Sequence, residues 1–361
     1  MPERAAIRAR ASQLRGLFEA ESAQVVETSI LQPADTLLDL YGEDIRARAY
    51  VTSDALRGEQ MLRPDFTVPV VQMHMEYGAE PARYTYAGEV FRRQEDDDSR
   101  ANEYLQVGYE VFDRDNPVDA DAEVFSLISQ ALGDAPIRAA TGDIGVLMAA
   151  VDGLNTTDAR KAALRRHIWR PRRFRALIDR YSGRTPVPSS RAALLAADAP
   201  FKNSPPEIGL RSRAEVEARI ATLQADAAAP FLSKREVALL DAILSVRESL
   251  PFALEHLRDI AVDMPTIEQA VERVAKRMHA MEKRGVDVSN LDFEASYGRT
   301  SLEYYDGFVF GFYEAARPDL PPVAAGGRYD ALTRVLGQGA EIPAVGGVIR
   351  PDRLIQLEAQ T

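Results

Sequence analysis

The stretch RYTYAGEVFRRQ (Arg83–Gln94), followed after a polar gap by EYLQVGYEVFD (Glu103–Asp113), decides the fold. Both runs are rich in Tyr, Phe and Val and alternate in part between apolar and polar residues, the pattern of half-buried strands. Two such runs joined by a polar segment read as a long antiparallel hairpin with a wide loop. Toward the N-terminus, the opening residues carry Ala, Leu and Arg at helical spacing and predict a helix. Gln24–Leu31 (QVVETSIL) reads as a strand stopped by Pro33, since proline has no N–H for a ladder. Asp35–Tyr41 reads as a short helix ending at Gly42, Gln60–Arg63 as a strand, and Val68–Tyr77 as a helix closed by Gly78.

Toward the C-terminus the character turns helical, at Ala122–Leu132, Ile144–Val151 and Ala159–Tyr181. Ser182–Pro206, rich in Pro, Ser and Ala, reads as a linker or insertion. Thr266, at capping-box spacing from Gln269, opens a helix that runs to Gly285. Strands return at Leu291–Ser296 and Leu302–Tyr313, and a short helix and Ala344–Leu357 close the chain. Strands at both ends with helices between predict an α+β fold, an antiparallel sheet flanked by helices. One sheet domain is expected from residues 1–130 and 262–361, with a helical middle segment or insertion at 131–261.

The bulk numbers bound the function. The chain has 361 residues, 46% of them hydrophobic and 27% charged, ordinary values for a globular protein. No stretch approaches the roughly 18 to 20 apolar residues of a membrane span. The N-terminus, MPERAAIRARASQ, lacks the apolar core of a secretory signal. With no cysteine, disulfides and thiol chemistry are excluded, and a cytoplasmic location is expected. A net charge of −11 disfavours nucleic-acid binding, which clustered cations drive. The four histidines, His74, His167, His256 and His279, have no ligand spacing, so no metal site is expected. Neither a P-loop nor a dinucleotide-binding glycine motif is present, and no cofactor is expected.

What remains is a constellation of Arg, carboxylates and tyrosines. In order come Leu62-Arg63-Pro64-Asp65-Phe66-Thr67, Tyr86–Gln94, Leu105–Phe112, Leu302-Glu303-Tyr304-Tyr305, Gly326-Gly327-Arg328-Tyr329-Asp330 and Val345–Leu354. Together these blocks resemble the catalytic domain of histidyl-tRNA synthetase, a class II synthetase. By that resemblance Val25–Pro33 corresponds to the first class motif, usually part of a dimer interface, Arg83–Val111 to the second and Ala344–Leu354 to the third. The resemblance implies a class II synthetase-like sheet and a histidine pocket. In it, Asp65, Thr67 and Gln106 hold the amino acid's polar end, and Glu110 with Tyr304 and Tyr305 reads the ring. Arg92 and Arg353 correspond to phosphate-binding arginines. Asp65 stands where the family usually has Glu. Taken alone, Tyr304–Tyr305 also fits core packing and Asp65 fits a helix N-cap. A carboxylate at a buried strand position, as at Glu110, needs a partner or a ligand.

Three departures argue against catalysis. The family reads Arg-Gly-Leu-Asp-Tyr-Tyr where this chain reads Thr300-Ser301-Leu302-Glu303-Tyr304-Tyr305, so a threonine replaces the arginine at the reacting centre. Loss of a positioned cation there removes transition-state stabilisation. Arg92, Arg100 or Arg299 must then pair with the ligand's carboxylate. The hairpin loop Gln94-Glu95-Asp96-Asp97-Asp98-Ser99-Arg100 is acidic where the enzymes are more basic. The sequence ends at Thr361, shortly after the third motif, and no anticodon-binding domain is expected. This combination resembles the paralogous family of ATP phosphoribosyltransferase regulatory subunits. It implies a non-catalytic partner of the short-form ATP phosphoribosyltransferase catalytic subunit, a homodimer within a hetero-oligomer, with histidine as effector. The effector site is expected in the synthetase-like pocket or at a subunit interface. A minimal histidine-activating or other adenylate-forming ligase and an RNA-binding synthetase paralogue are the alternatives.

Overall fold

The computed structural model describes residues 2–34, 45–94, 101–202, 204, 208–299, 303–317 and 319–359. The expected helix Asp35–Tyr41, the acidic run 95–100 and Thr300 lie outside these residues. Twelve strands are formed among them: β1 (Gln24–Val25), β2 (Leu31–Pro33), β3 (Val51–Asp54), β4 (Gly58–Leu62), β5 (Ala82–Phe91), β6 (Glu103–Phe112), β7 (Ile137–Asp143), β8 (Arg247–Ser249), β9 (Asp292–Glu294), β10 (Phe308–Glu314), β11 (Ala324–Arg328) and β12 (Ala344–Ile349). Nine make one sheet in the order β1-β5-β6-β12-β11-β10-β7-β9-β8, and β2-β4-β3 make a smaller one. Pairing is antiparallel except at β1–β5 and β7–β9.

The hairpin forms as its composition demands. Ala82 pairs with Phe112 and Phe91 with Glu103, a continuous antiparallel ladder. Alternation then divides the side chains. Tyr109 faces the helices, where its ring stacks on Phe18 of helix Arg4–Ala20 and its hydroxyl donates to Glu123 of helix Pro117–Leu132. On the same layer Phe125 meets Phe308, Phe310 and Phe312, the alternate residues of β10, at centroid distances of 5.1–6.3 Å. Gln106, Gly108, Glu110 and Phe112 face the other way, toward helix Thr67–Tyr77, whose His74 stacks on Phe112.

Helix Glu268–Lys283 packs beside helix Pro117–Leu132, and the two are tied through buried charges. Arg277 donates to Asp121 at 3.1 Å and to Asp143 at 2.6 Å, and Arg328 donates to the same Asp121 at 2.7 and 3.0 Å. This cluster fixes the end of β11 and therefore the place of Tyr329.

Several elements differ from expectation. Pro33 lies inside β2 instead of stopping a strand before it, which a sheet edge permits because no ladder bond needs its missing N–H. The helix expected at Ala159–Tyr181 is two, Asp158–Arg166 and Pro171–Tyr181, divided where Pro171 cannot continue a helix. The Thr266 capping box does not form: a 3₁₀ turn occupies Pro265–Ile267 and the α-helix starts at Glu268. Within the span 131–261, expected to be helical, β7 and β8 join the main sheet. β7 reads IRAATGD, too rich in small residues to show a period in sequence. The strand expected from Leu302 begins only at Phe308.

Candidate functional site

Glu110, on β6, is 1% exposed and its carboxylate is held entirely by hydroxyls. Oε1 accepts from Thr67 Oγ1 at 3.0 Å and from the Tyr86 hydroxyl at 2.8 Å, while Oε2 accepts from the Tyr329 hydroxyl. Four elements supply these groups: β6, β5, the first residue of helix Thr67–Tyr77, and the residue that follows β11. Two glycines make the space. A Cβ at Gly346, directly across the ladder from Glu110, would stand 1.4 Å from Oε2. A Cβ at Gly108 would stand 2.1 Å from the Tyr86 ring. A carboxylate and a tyrosine thus occupy volume that any larger cross-strand neighbour would fill.

None of the three donors is charged, so hydrogen bonding only partly offsets the loss of water. Burial raises the Glu110 pKa to about 7, the hydroxyls pull it back and nearby Asp65 adds to the rise. Burial next to these acids also pushes the Tyr86, Tyr305 and Tyr329 hydroxyls well above their ordinary range, so they stay protonated and act as donors.

Asp65 precedes the N-cap residue of helix Thr67–Tyr77, which is Phe66, and its two oxygens have different partners. Oδ1 accepts the Val68 amide at 3.4 Å, near the start of helix Thr67–Tyr77, and Oδ2 accepts the Tyr304 hydroxyl at 3.1 Å. Tyr304 in turn meets Tyr305 and Tyr329 edge to face, with centroids 5.0 and 6.2 Å apart. Asp306 secures this corner. Its carboxylate accepts the Asp330 and Ala331 amides at 3.1 and 2.6 Å at the head of helix Asp330–Leu336. Burial, then neighbouring Asp330, raises its pKa to about 7.

The structure therefore brings together Asp65, Thr67, Glu110, Tyr304 and Tyr305. Gln106 lies on the same face of β6, and its buried Oε1 has no hydrogen-bond partner. Arg92, just beyond β5, donates Nε to the Pro64 carbonyl at 2.7 Å and lies near enough to Tyr305 to act on its hydroxyl. Arg353 sits in the first turn of helix Pro351–Glu358, after β12. Arg299, expected as a possible carboxylate partner, is engaged with the segment around Trp169: Nε donates to the Ile168 carbonyl at 2.8 Å and the guanidinium stacks over Phe174. It sits in a turn. Arg100 lies outside the described residues. Tyr86 and Tyr329 were not singled out from sequence, although both lie in the quoted blocks. Register was the missing signal, since Tyr86 pairs with Gly108 and shares the Glu110 face.

Chemically, an acid held by neutral donors is equipped to accept a proton donor such as an imidazole N–H or an ammonium. No group of acids and histidines able to hold a metal occurs among the described residues. No helix there is long and apolar enough to cross a membrane.

Comparison with known proteins points the same way. The sequence model of the histidyl-tRNA synthetase family matches residues 1–197 and 211–354. ATP phosphoribosyltransferase regulatory subunits of Brucella ovis and Brucella abortus are each 32% identical, with 96% of this chain and 96% of theirs covered. Among solved structures, an ATP phosphoribosyltransferase regulatory subunit/histidyl-tRNA synthetase of Bacillus halodurans has a TM-score of 0.69 at 21% identity. It is matched over 99% of this chain and 80% of its own. A histidyl-tRNA synthetase of Nostoc has a TM-score of 0.64 at 16% identity, over 99% and 73%. These last two establish the fold, class II and synthetase-like. On its sequence matches and its fold together, the chain belongs to the histidyl-tRNA synthetase family and, within it, to the ATP phosphoribosyltransferase regulatory subunits.

Proposed function

We propose that this chain is a non-catalytic subunit that binds the short-form catalytic subunit of ATP phosphoribosyltransferase in the cytoplasm and confers histidine feedback. The observation that carries the ligand assignment is Glu110, a buried acid held by three hydroxyls beside Asp65, with Tyr304 and Tyr305 packed around it. Histidine supplies the matching donors, an ammonium and an imidazole N–H. In this reading Asp65, Thr67 and Gln106 hold the polar end, Arg92 pairs with the carboxylate, and Glu110, Tyr304 and Tyr305 read the ring. The sequence substitution of Thr300 for the family's arginine supports a sensor over a catalyst. By the family resemblance Arg92 and Arg353 correspond to phosphate-binding arginines, so residual ATP binding is compatible with this reading.

A homodimer within the hetero-oligomer is part of the proposal. Val25, Ile30, Leu31 and Val51 are 39–51% exposed around the first class motif, apolar surface of the kind a partner copy covers. The sheet domain at 1–130 and 262–361 would then carry the pocket and the dimer contact.

Co-expression with a short-form catalytic subunit tests the whole. The expected result is co-purification, raised phosphoribosyltransferase activity and inhibition by histidine. Equal activity and equal histidine sensitivity with and without this chain would refute it. Histidine-dependent ATP–pyrophosphate exchange by the isolated chain would instead establish the ligase alternative.

A further inference from the structure

The turn between helices Asp158–Arg166 and Pro171–Tyr181 reaches across to the chain that carries Tyr304 and Tyr305. Trp169 Nε1 donates to the Tyr305 carbonyl at 3.1 Å. Arg170 donates to both carboxylate oxygens of Glu303, at 3.2 Å from one terminal nitrogen and 3.3 Å from Nε. The two side chains of this pair are 19% and 17% exposed. A forked, largely desolvated pair fixes geometry where an exposed one would not. Arg299 adds a third grip from the opposite direction, onto Ile168 and Phe174.

These contacts fall where the sheet offers no control. Residues 303–307 are turn and irregular chain, and the ladder resumes only at Phe308. Asp306 is tied to Arg328 through its amide. Ahead of it, Trp169 and Arg170 hold the backbone of Tyr305 and the side chain of Glu303, on either side of Tyr304. The Tyr304 hydroxyl is bonded to Asp65, so a ligand that engages Asp65 pulls on the same short stretch.

We infer that Trp169 and Arg170 are positioning residues of the ligand site, through which the helical middle segment sets the Tyr304–Tyr305 conformation and is moved when the site fills. This rests on the reading that histidine occupies the pocket. The helical segment then has a task in regulation, as the element that carries the signal away from the site.

The chain holds its own reporter, because Trp169 is its single tryptophan. Titrating the full-length protein with histidine, by calorimetry and by tryptophan emission in parallel, should give one midpoint from both. Arg170→Gln should weaken histidine binding about tenfold, in a protein that thermal unfolding shows to be still folded at the temperature of the titration. Arg170→Lys should recover part of the loss, and the exchange of charges in the double variant Arg170→Glu, Glu303→Arg should recover more than either single variant. Trp169→Phe, read by calorimetry alone, should weaken binding as well. Should a variant fail to fold, the wild-type titration decides alone. Calorimetric binding with flat emission would overturn this inference and leave the histidine pocket standing. An absence of calorimetric binding would overturn both.

Discussion

Two buried acids in this molecule are treated in opposite ways. Asp121 accepts hydrogen bonds from two guanidinium groups, Arg277 and Arg328, both nearly inaccessible, and Arg277 also neutralises Asp143. Glu110 is as deeply buried but meets only hydroxyls. In the first cluster every acid faces a guanidinium: Arg277 bridges Asp121 and Asp143, Arg328 bridges Asp121 and Asp330, and together they join two helices to the end of β11. The second is satisfied in hydrogen bonds but not in charge. That difference separates scaffold from site, since an acid whose charge is left uncompensated gains most from a cationic ligand.

The contrast can be broken at either end. Arg277→Met should cost the most, about 3–5 kcal/mol, because it leaves Asp121 and Asp143 short of a buried partner. Thermal or denaturant unfolding measures it, and a loss below about 1 kcal/mol would mean that the cluster is not the structural member of the pair. Glu110→Gln tests the other member through pH. Its folded pKa is raised to about 7 from an ordinary 4.5. The stability it contributes is therefore complete below pH 4.5 and is lost as pH rises through 7. Replacement by Gln should flatten that decline, by about 3 kcal/mol between the two limits, while abolishing measurable histidine binding. An unchanged unfolding profile between pH 4.5 and 7 would remove the charge asymmetry from the argument.

A subtler change sharpens the comparison. Gly346→Ala puts a methyl group onto Glu110 Oε2 and should cost about 1–3 kcal/mol while displacing the carboxylate. Histidine affinity should fall further than stability does, which parallel calorimetry and unfolding would show. Tyr86→Phe should be mildest, about 1 kcal/mol of stability, because Glu110 keeps two of its three donors. If it proved as damaging as Gly346→Ala, the three hydroxyls would have to act as one unit.

Much of this was legible in the sequence, and for local reasons. The hairpin announced itself by composition, and Glu110 stood out as a carboxylate among apolar strand residues. Asp65, Thr67, Tyr304 and Tyr305 came from ordered motifs. Tyr86 and Tyr329 escaped because their roles depend on register and on where β11 ends, which residue patterns do not encode. The Asp121 cluster joins residues 156 and 207 positions apart in the chain. Trp169 and Arg170 meet partners 136 and 133 positions later. No period or motif spans such separations. Arg299 lies in a turn between strands, where no alternation rule says which way a side chain goes.

Asp65 carries a consequence of its own. Its two oxygens belong to one rigid plane, with one oxygen at the start of helix Thr67–Tyr77 and the other on Tyr304. The side chain has only two rotatable bonds, so the helix start and the tyrosine corner are coupled while both contacts hold. A push on either arrives at the other as a twist, and Thr67, on the first residue of that helix, carries it on to Glu110.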